Sequence, residues 1–389
     1  MSPPKSPVTW YPGVVSLVVG LMTMSCASFG PNKLRSSHLN YNKAVQQAQM
    51  EEDLLNIVRI RYLDMPVSLF VSSISAQASF TVGSGGEFGL VEGDSSANIT
   101  PGISYTDRPT ITFTPFGGRA FLDSLATPIP LDVLVNLTVS QAGFEVLLRV
   151  AVANLNGIPN RFDGASPDFN RLAARFRALE TQNDLAAGFL DRTVTLSEPI
   201  PSDSVDADSV LEAARDNRRF EPDHDGGYRL VGTRSVPFLW IDPSTTTAQE
   251  LLDQLRLTKD TTSFEMKSAN QIEPPARTSD FLAVRSRSLL EAAVYLSHGV
   301  DVPEAHERAG IARPDATAAP DLSDVFRVRV SETKPREPGI AVEYRDHWFF
   351  IPDSDHASKR TFGLLQALFL SQMTKDTAQG APVLTLPLN

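Results

Sequence analysis

The chain has 389 residues, of which 42% are hydrophobic and 21% are charged, and its formal net charge at pH 7 is −11. This composition is that of a folded protein and excludes a chain that is disordered throughout. An acidic chain without basic runs repels phosphate backbones, so nucleic-acid binding is disfavoured. A single cysteine cannot form an internal disulfide, so the core has to be stabilised by packing alone.

The N-terminus has the layout of a secretion signal. Lys5 is the only charged residue before residues 13–24, an uncharged apolar stretch. That stretch is shorter than the roughly 20 residues needed to cross a hydrocarbon core of ~30 Å. It leads into the small residues Ser25 and Ala27, which flank Cys26. This order predicts a signal peptide over residues 1–25.

Cys26 is the predicted lipidation site. Its surroundings resemble a bacterial lipoprotein signal, in which the cysteine takes up acyl chains such as palmitate and becomes the mature N-terminus. Thr23 departs from that signal, which favours leucine there. Ser25 and Ala27 also fit an ordinary signal-peptidase site, so cleavage after Ala27 is an alternative, as are an uncleaved anchor and a cytosolic chain. Ala27, rather than an aspartate, implies by the same resemblance the outer membrane, facing the periplasm.

A tether, a helix and a long hairpin are predicted next. Residues 26–38 are polar and predict a tether, and residues 39–62 carry apolar residues at three- and four-residue steps, which predicts an amphipathic helix. Residues 70–82 alternate between apolar and polar, which predicts a strand with one buried face. A second strand over 103–113 contains Pro109, which favours an edge position or a bulge. Glycines between 83 and 89 predict a flexible turn, giving a hairpin over 70–113.

Helices and strands then come in blocks, which favours an α+β fold with amphipathic helices on a mostly antiparallel sheet. The predicted helices cover residues 119–126, 131–154, 169–190, 247–257, 288–298 and a segment after 354. The predicted strands are a hairpin over 220–230, then 236–241, 325–330, 340–344 and 347–351. Capping boxes are predicted for Thr247 with Glu250 and for Ser288 with Glu291. Asn156-Gly157 is predicted to end the second helix, and Arg345-Asp346 is predicted to form a two-residue turn between the strands at 340–344 and 347–351.

Three α+β regions are predicted to follow the tether, over residues 39–160, 161–285 and 286–389. Several phrases within them together resemble one family of uncharacterised bacterial lipoproteins of the outer membrane. The phrases lie at residues 39–62, 107–115, 127–130, 156–160, 287–303, 347–369 and 382–388. The resemblance covers most of the mature chain. It implies an envelope location and a single folded body, but no activity, cofactor or catalytic residue.

Asp353, Asp355 and His356 are the strongest candidates for a chemical site, and they are weak. They could bind a metal or act as an acid–base pair, but carboxylates just before a helix more often cap it. Residues 223–226 resemble the start of a calcium loop that lacks an acid at its twelfth position. His298 and His306 do not have the spacing of metal ligands in a helix. No catalytic residue, metal or cofactor is therefore predicted.

The sequence predicts a membrane-anchored envelope protein with a non-enzymatic binding or scaffold role. Its expected contacts are the membrane, through lipid on Cys26, and an envelope protein partner. One alternative is an oligomeric assembly in which the 70–113 hairpin pairs between subunits to build a ring in the outer membrane or periplasm. The other is an envelope hydrolase, which would need a pocket that gathers Asp355, His356 or His298. The oligomeric state stays open.

Overall fold

The structure is a computed structural model of the chain. It describes residues 39–91, 94–116, 123, 125–139, 142–161, 166–224, 226–269, 278–313, 322–336, 338–373 and 384–387. Side chains are described for these residues except 68–116, 338, 373 and 384–387. Cys26, the predicted signal peptide and the predicted tether lie outside the described residues.

The described chain begins with helix α1, over residues 39–61, as the apolar periodicity predicts. The chain divides into two compact units at Glu52 and Asp53, so α1 contributes its first 14 residues to one unit and its last turns to the other. Within the second unit, Leu54, Ile57 and Val58 are completely buried or nearly so. Ile57 and Val58 follow Leu54 by three and four residues, which is the spacing of one helix face, so this face of the last turns belongs to the core.

Eight further helices follow in the part of the chain that is described. They are α2 (Leu131–Leu137), α3 (Gly143–Ala151), α4 (Pro167–Gln182), α5 (Ala207–Arg215), α6 (Thr246–Gln254), α7 (Leu289–Ser297), α8 (Glu304–Arg308) and α9 (His356–Met373). A 3₁₀ turn, Ser202–Ser204, precedes α5. The helix predicted over 119–126 is described only at residues 123, 125 and 126, all helical.

The strands form three sheets. They are β1 (Ser68–Val91), β2 (Asp94–Phe116), β3 (Val152–Leu155), β4 (Ile158–Pro159), β5 (Leu185–Thr195), β6 (Arg218–Pro222), β7 (Tyr228–Ile241), β8 (Ser263–Ser268), β9 (Phe281–Ser286), β10 (Arg329–Ser331), β11 (Pro338–Tyr344), β12 (His347–Pro352) and β13 (Leu384–Pro387). Their orders are β1-β2-β13, β10-β12-β11 and β4-β3-β9-β8-β7-β5, with β6 paired to β7. Every ladder between these strands is antiparallel except β8 with β9, so the fold is α+β with mostly antiparallel sheet, as predicted.

The largest sheet is covered by helices on one face. Phe144 and Leu147 of α3 and Phe176 of α4 line a small apolar cavity together with Leu239 of β7 and Leu282 of β9. All five side chains are apolar and buried. This helix-on-sheet layer is the core that residues 131–284 build.

Two helices predicted from the sequence are wrong in their lengths. The helix predicted over 131–154 is interrupted between α2 and α3, and Gly143 begins α3 with a φ of +70°, which favours glycine. Its last three residues, 152–154, belong to strand β3, and Asn156 and Gly157 form the tight β3–β4 turn with φ values of 46° and 85° instead of a helix cap. The helix predicted over 169–190 ends at Asn183, which is left-handed, and β5 follows.

The long hairpin is confirmed, but its turn is much shorter than predicted. β1 and β2 have 24 and 23 residues and pair from Ser68 with Phe116 to Val91 with Asp94. Residues 83–89, predicted as a flexible turn, are therefore strand. Pro109 pairs with Ala76 and lies one residue beyond the point where β13 ends on β2, and the ladder's irregularity is at Val71 and Ser73 instead.

The C-terminal part follows the sequence closely. Ser288 and Glu291 form the predicted capping box of α7, and Arg345 and Asp346 form the predicted two-residue turn between β11 and β12, both with positive φ. The strand predicted over 325–330 is shorter, because β10 begins only at Arg329. The capping residue of α6 is Thr245 rather than the predicted Thr247.

Candidate functional site

The three weak candidates for a chemical site, Asp353, Asp355 and His356, lie at the start of α9. Asp355 accepts hydrogen bonds from the Ser358 amide, at 3.0 Å, and from the Ser358 hydroxyl, at 2.8 Å, so it caps the helix. Asp353 accepts a hydrogen bond from Lys359 at 2.5 Å, which lowers the pKa of its carboxyl. His356 is exposed on the first turn of α9. The geometry is that of a helix N-terminus.

The other motifs taken from the sequence are separated in space or paired locally. Asp223 forms an ion pair with Arg229 of β7 at 2.9 Å, next to the turn of the β6–β7 hairpin. His306 lies in a cluster of its own, described below, which does not include His298. Among the described residues, no group of three or more His, Cys, Asp or Glu side chains is arranged to hold a metal ion.

The β1–β2 hairpin is the most unusual feature of the molecule, because its register sorts its residues into two faces. Directly opposite residues of an antiparallel pair lie on the same face, and successive residues alternate between faces. One face carries mostly apolar residues: Ile74 opposite Ile111, Ala76 opposite Pro109, Ala78 opposite Asp107, Phe80 opposite Tyr105, Val82 opposite Ile103, Ser84 opposite Pro101, Gly86 opposite Ile99 and Phe88 opposite Ala97.

The opposite face carries only polar residues and glycine over the same length. Its pairs are Ser73 with Thr112, Ser75 with Thr110, Gln77 with Arg108, Ser79 with Thr106, Thr81 with Ser104, Gly83 with Gly102, Gly85 with Thr100 and Glu87 with Asn98. A one-residue slip in register would mix the two faces, so the alternation in both strands independently supports this pairing. We call the hairpin Ser68–Phe116 the amphipathic ribbon.

The length of the amphipathic ribbon exceeds that of ordinary strands several-fold. Strands in globular proteins have about 5–6 residues, whereas 23 residues at ~3.3 Å each span about 75 Å. The apolar face, from position 74 to position 88, spans about 50 Å on the same rise. A strand needs only about 9–11 residues to cross a bilayer. The apolar face is therefore long enough to do so.

Among the described residues, both long edges of the amphipathic ribbon lack a strand partner over most of their length. In the described part of the chain, β13 is the only strand that pairs with it, and β13 covers β2 only from Thr110 to Phe113. The outer edge of β1 and the β2 edge from Asp94 to Pro109 have no strand partner among the described residues. Open edges of this length present a row of backbone donors and acceptors that pair readily with another strand.

A second candidate site is a compact cluster of ionisable side chains at the end of α1. We call it the Tyr62 cluster, and it consists of Tyr62, Asp64, His306, Tyr344, Arg345 and His347. The Tyr62 hydroxyl lies 2.8 Å from Nδ1 of His306, and the His306 and His347 rings meet edge to face with centroids 4.9 Å apart. Tyr62 also contacts the buried ring of Phe349.

Backbone geometry holds the cluster together. The left-handed turn at Arg345 and Asp346 places Tyr344 and His347 directly opposite each other at the ends of β11 and β12. Asp64 accepts hydrogen bonds from the Tyr344 hydroxyl and, at 3.0 Å, from Arg345. The guanidinium of Arg345 also lies over the rings of Tyr62 and Tyr344.

The surroundings of the Tyr62 cluster shift the pKa values of its side chains. Burial raises the pKa of Tyr62 to about 12 and also raises the pKa of Tyr344. Burial lowers the pKa of His306, and the neighbouring His347 and Arg345 lower it further. The hydrogen bond from Tyr344, followed by that from Arg345, lowers the pKa of Asp64. At neutral pH the cluster therefore combines neutral phenols, a neutral His306 and a charged Asp64–Arg345 pair.

Sequence reasoning missed the Tyr62 cluster because its members come from three distant segments. Tyr62 and His306 are 244 residues apart, and Asp64 and Tyr344 are 280 apart. His306 was considered only together with His298, a neighbour in sequence. The signal that could have been used is local: Arg345 and Asp346 predict a tight turn, which brings Tyr344 and His347 opposite each other.

A polar cleft of about 250 Å³ lies between α3, α4 and α9. Two of its charged groups, Arg177 and Glu145, form an ion pair at 3.2 Å. A third, Glu180, accepts a hydrogen bond from the Phe144 amide at 3.2 Å. The described residues that line it include no histidine, serine or cysteine. Its described lining therefore shows no pairing of a serine or cysteine with an imidazole base.

No protein-family model, no curated protein and no solved structure matches the chain. None of the helices in the described segments combines the length and the apolarity that a bilayer crossing requires. The amphipathic ribbon and the Tyr62 cluster are thus the two features on which a function can be argued.

Proposed function

We propose that the protein is a lipid-anchored envelope scaffold that assembles by pairing its amphipathic ribbon, edge to edge, with the same ribbon of neighbouring copies. The observation that carries the proposal is the register of β1 with β2, which separates an apolar face from a polar face along a hairpin with open edges. The lipid on Cys26 and the envelope location are expectations from the sequence, and they belong to the same proposal.

A second copy of this chain is the partner that fits the open edges best. β1 and β2 run in opposite directions, so β1 of one copy can continue the antiparallel order beside β2 of the next. Because the two strands have nearly equal lengths, such pairing matches edge for edge beyond the four residues that β13 covers. Identical copies also bring apolar face beside apolar face, without a polar residue being forced onto the apolar side.

Closure into a ring would remove every open edge. A head-to-tail contact between identical subunits either closes with cyclic symmetry or grows into a filament, and closure satisfies the backbone groups of both edges. The apolar faces would then form one continuous outer surface suited to lipid, and the polar faces an inner surface suited to water. The anchor at Cys26 would concentrate the copies at the membrane, which favours their association.

The test compares the full chain with a variant whose hairpin is shortened in register. Because Gln77 lies opposite Arg108, replacing residues 78–107 by Asn-Gly gives a two-residue hairpin turn and keeps both the base of the hairpin and the β13 ladder. We expect a multi-subunit mass for the detergent-extracted full chain by light scattering, and a monomer for the variant. A monomeric full chain, or equal masses for both, would rule out assembly through the ribbon.

The orientation of the faces is tested separately with an environment-sensitive dye. Single cysteines are placed at residues 78, 79, 80, 81 and 82, where Cys26 does not compete if it carries lipid. We expect blue-shifted emission in membranes at 78, 80 and 82 but not at 79 and 81, which is the period of two that the register dictates. Uniform emission at all five positions would contradict a lipid-facing apolar side.

A further inference from the structure

Two histidines of the Tyr62 cluster lie about as far apart as two imidazoles that share one metal ion. His306 lies on α8 and His347 begins β12, and both imidazoles are partly exposed to solvent. Their ring centroids are 4.9 Å apart. Two imidazoles bound to one zinc ion at Zn–N distances of about 2.1 Å with tetrahedral angles have centroids about 5 Å apart. The observed separation is therefore of the size that a shared ion requires.

The second nitrogen of each ring is already held, as in metal sites. Nδ1 of His347 lies 3.0 Å from the backbone carbonyl of Arg345, to which it can only donate, so its proton is on Nδ1 and the lone pair is on Nε2. Nδ1 of His306 lies 2.8 Å from the Tyr62 hydroxyl, which can accept that ring's proton. Histidines that bind metals characteristically donate their other N–H to such outer partners, which fix the tautomer and the ring orientation.

The charges around the rings are compatible with a cation. The positive charge of Arg345, which approaches the rings, is paired with Asp64 at 3.0 Å. Asp346 lies in the same turn, and its charge acts on His306 in the opposite sense to that of Arg345. The other groups that face the pair are the phenols of Tyr62 and Tyr344, which are neutral at physiological pH.

We propose that His306 and His347 bind one divalent transition-metal ion, with zinc or copper as the class that imidazoles prefer, through their Nε2 atoms. Since no larger group of metal ligands is present among the described residues, solvent completes the coordination. Open coordination positions make this a site for an exogenous ligand or a further donor rather than a closed structural site.

The test is a calorimetric titration of the full chain, purified without a histidine tag, with zinc chloride. We expect saturable binding of one ion per chain. His306→Gln and His347→Gln should each weaken binding more than tenfold, and Tyr62→Phe, which keeps the ring but removes the outer partner of His306, by about tenfold. The matched controls His224→Gln and His356→Gln, which change histidines outside the cluster, should bind like the wild type. Circular dichroism verifies that each variant is folded.

A spectroscopic measurement that needs no variant completes the test. X-ray absorption at the zinc edge of the loaded wild-type protein should show two imidazoles and additional oxygen scatterers. No saturable binding by the wild type, undiminished binding by the His306→Gln/His347→Gln double variant, or a spectrum without imidazole scattering would each overturn the proposal.

Discussion

Arg287 brings a guanidinium into a completely buried position and uses it to close a helix. Its nitrogens donate to the carbonyls of Arg149 and Val150, at 2.6 and 3.0 Å, and to the carbonyl of Asn160 at 2.9 Å. The first two are last-turn carbonyls of α3, which carry the negative end of the helix dipole. Burial lowers the pKa of Arg287 to about 10, so the side chain stays protonated at neutral pH. The face of Tyr295 lies against it.

Arg287→Met is expected to destabilise the protein strongly. The substitution keeps an unbranched apolar stem but removes the donor to the buried carbonyls of Val150 and Asn160, at a cost of about 1–3 kcal/mol for each group. The Arg149 carbonyl keeps the Asn160 side-chain amide as a donor. Arg285→Met is the matched control, because Arg285 is partly exposed and pairs with Glu291, an interaction worth about 0–1 kcal/mol. Urea unfolding should give a loss of at least about 3 kcal/mol for the first and less than about 1 for the second. Equal losses would contradict the capping role.

Asp64 should make the stability of the protein depend on acid pH. A carboxyl whose pKa is lowered in the folded state stabilises fully above its ordinary value of 3.8, and the contribution is lost as the pH falls through the lowered value. Asp64→Asn should therefore reduce the unfolding free energy at about pH 6, by less than about 1 kcal/mol because the site is partly exposed, and the reduction should be smaller at about pH 3. The same difference at both pH values would show that the carboxylate charge is not what stabilises.

At the scale of single residues, the sequence predicts interactions between residues that are close along the chain but not contacts between distant residues. Ser288 with Glu291, and the turn at Arg345 and Asp346, were predicted because a cap and a two-residue turn are set by residues three positions apart or fewer. The Tyr62–His306 contact depends on how α1, α8 and the β11–β12 hairpin pack together. No periodicity encodes that packing, so the site could not be predicted.

At the scale of elements, α6 offers a direct comparison between what the sequence predicts and what the structure shows. Thr245 accepts the Ala248 amide and is the N-cap, whereas Thr247, predicted as the cap, lies inside the helix. Threonine is a weaker helix former than alanine in a helix interior. The predicted capping box of Thr247 with Glu250 is therefore wrong, because the helix begins two residues earlier than the pattern places it.

Thr245→Ala and Thr247→Ala form the test pair. The first should lower the unfolding free energy by about 1 kcal/mol, because the Ala248 amide loses its acceptor. The second should leave it unchanged or raise it by a few tenths, because alanine favours the helix. Thermal or urea unfolding of the two single variants distinguishes them. If Thr247→Ala were the more costly change, the helix would begin where the sequence pattern placed it.

The hairpin and the helix predicted over 131–154 show why the sequence predicts some strands and misses others. The alternation over 70–82 has a period of two, which no helix shares, so the amphipathic ribbon was found from the sequence. β3 is four consecutive buried residues that follow the apolar helix α3 directly. A short buried strand and the end of a buried helix have the same apolar pattern, so the boundary at Val152 could not be read. The glycines at 83–89 were misread because glycine is common in turns.

For the whole molecule, the order of elements predicts the α+β class but not the pairing. β3 from the predicted N-terminal region lies beside β9, and β9 pairs in parallel with β8, although helices and loops separate them along the chain. Similarly, β13 at the end of the chain pairs with β2. These contacts join distant segments, and neither composition nor periodicity distinguishes them from other pairings.

The predicted lipidation of Cys26 and the membrane location that follows from it are tested in cells that make the full chain. If the sequence prediction is correct, cells fed an alkyne-tagged fatty acid should label the wild-type protein, and Cys26→Ala should lose the label completely. The same variant should move from the membrane fraction toward the soluble fraction, to the extent that the lipid rather than the amphipathic ribbon retains it. Ser36→Ala, in the predicted tether, is a control that keeps the thiol and the residues that flank it. A label that persists in Cys26→Ala would place the acylation elsewhere.

Ser286, Arg287 and Ser288 are three consecutive residues that connect four elements. Ser286 pairs with Val152 of β3, Arg287 closes α3 and donates its amide to the Ala151 carbonyl, and Ser288 starts α7. The Arg287 carbonyl in turn accepts the Ile129 amide. Opening any one of these elements breaks the bonds that hold another. Local fraying at this point is therefore suppressed, and the sheet, α3 and α7 should exchange their amide hydrogens only when all of them unfold together.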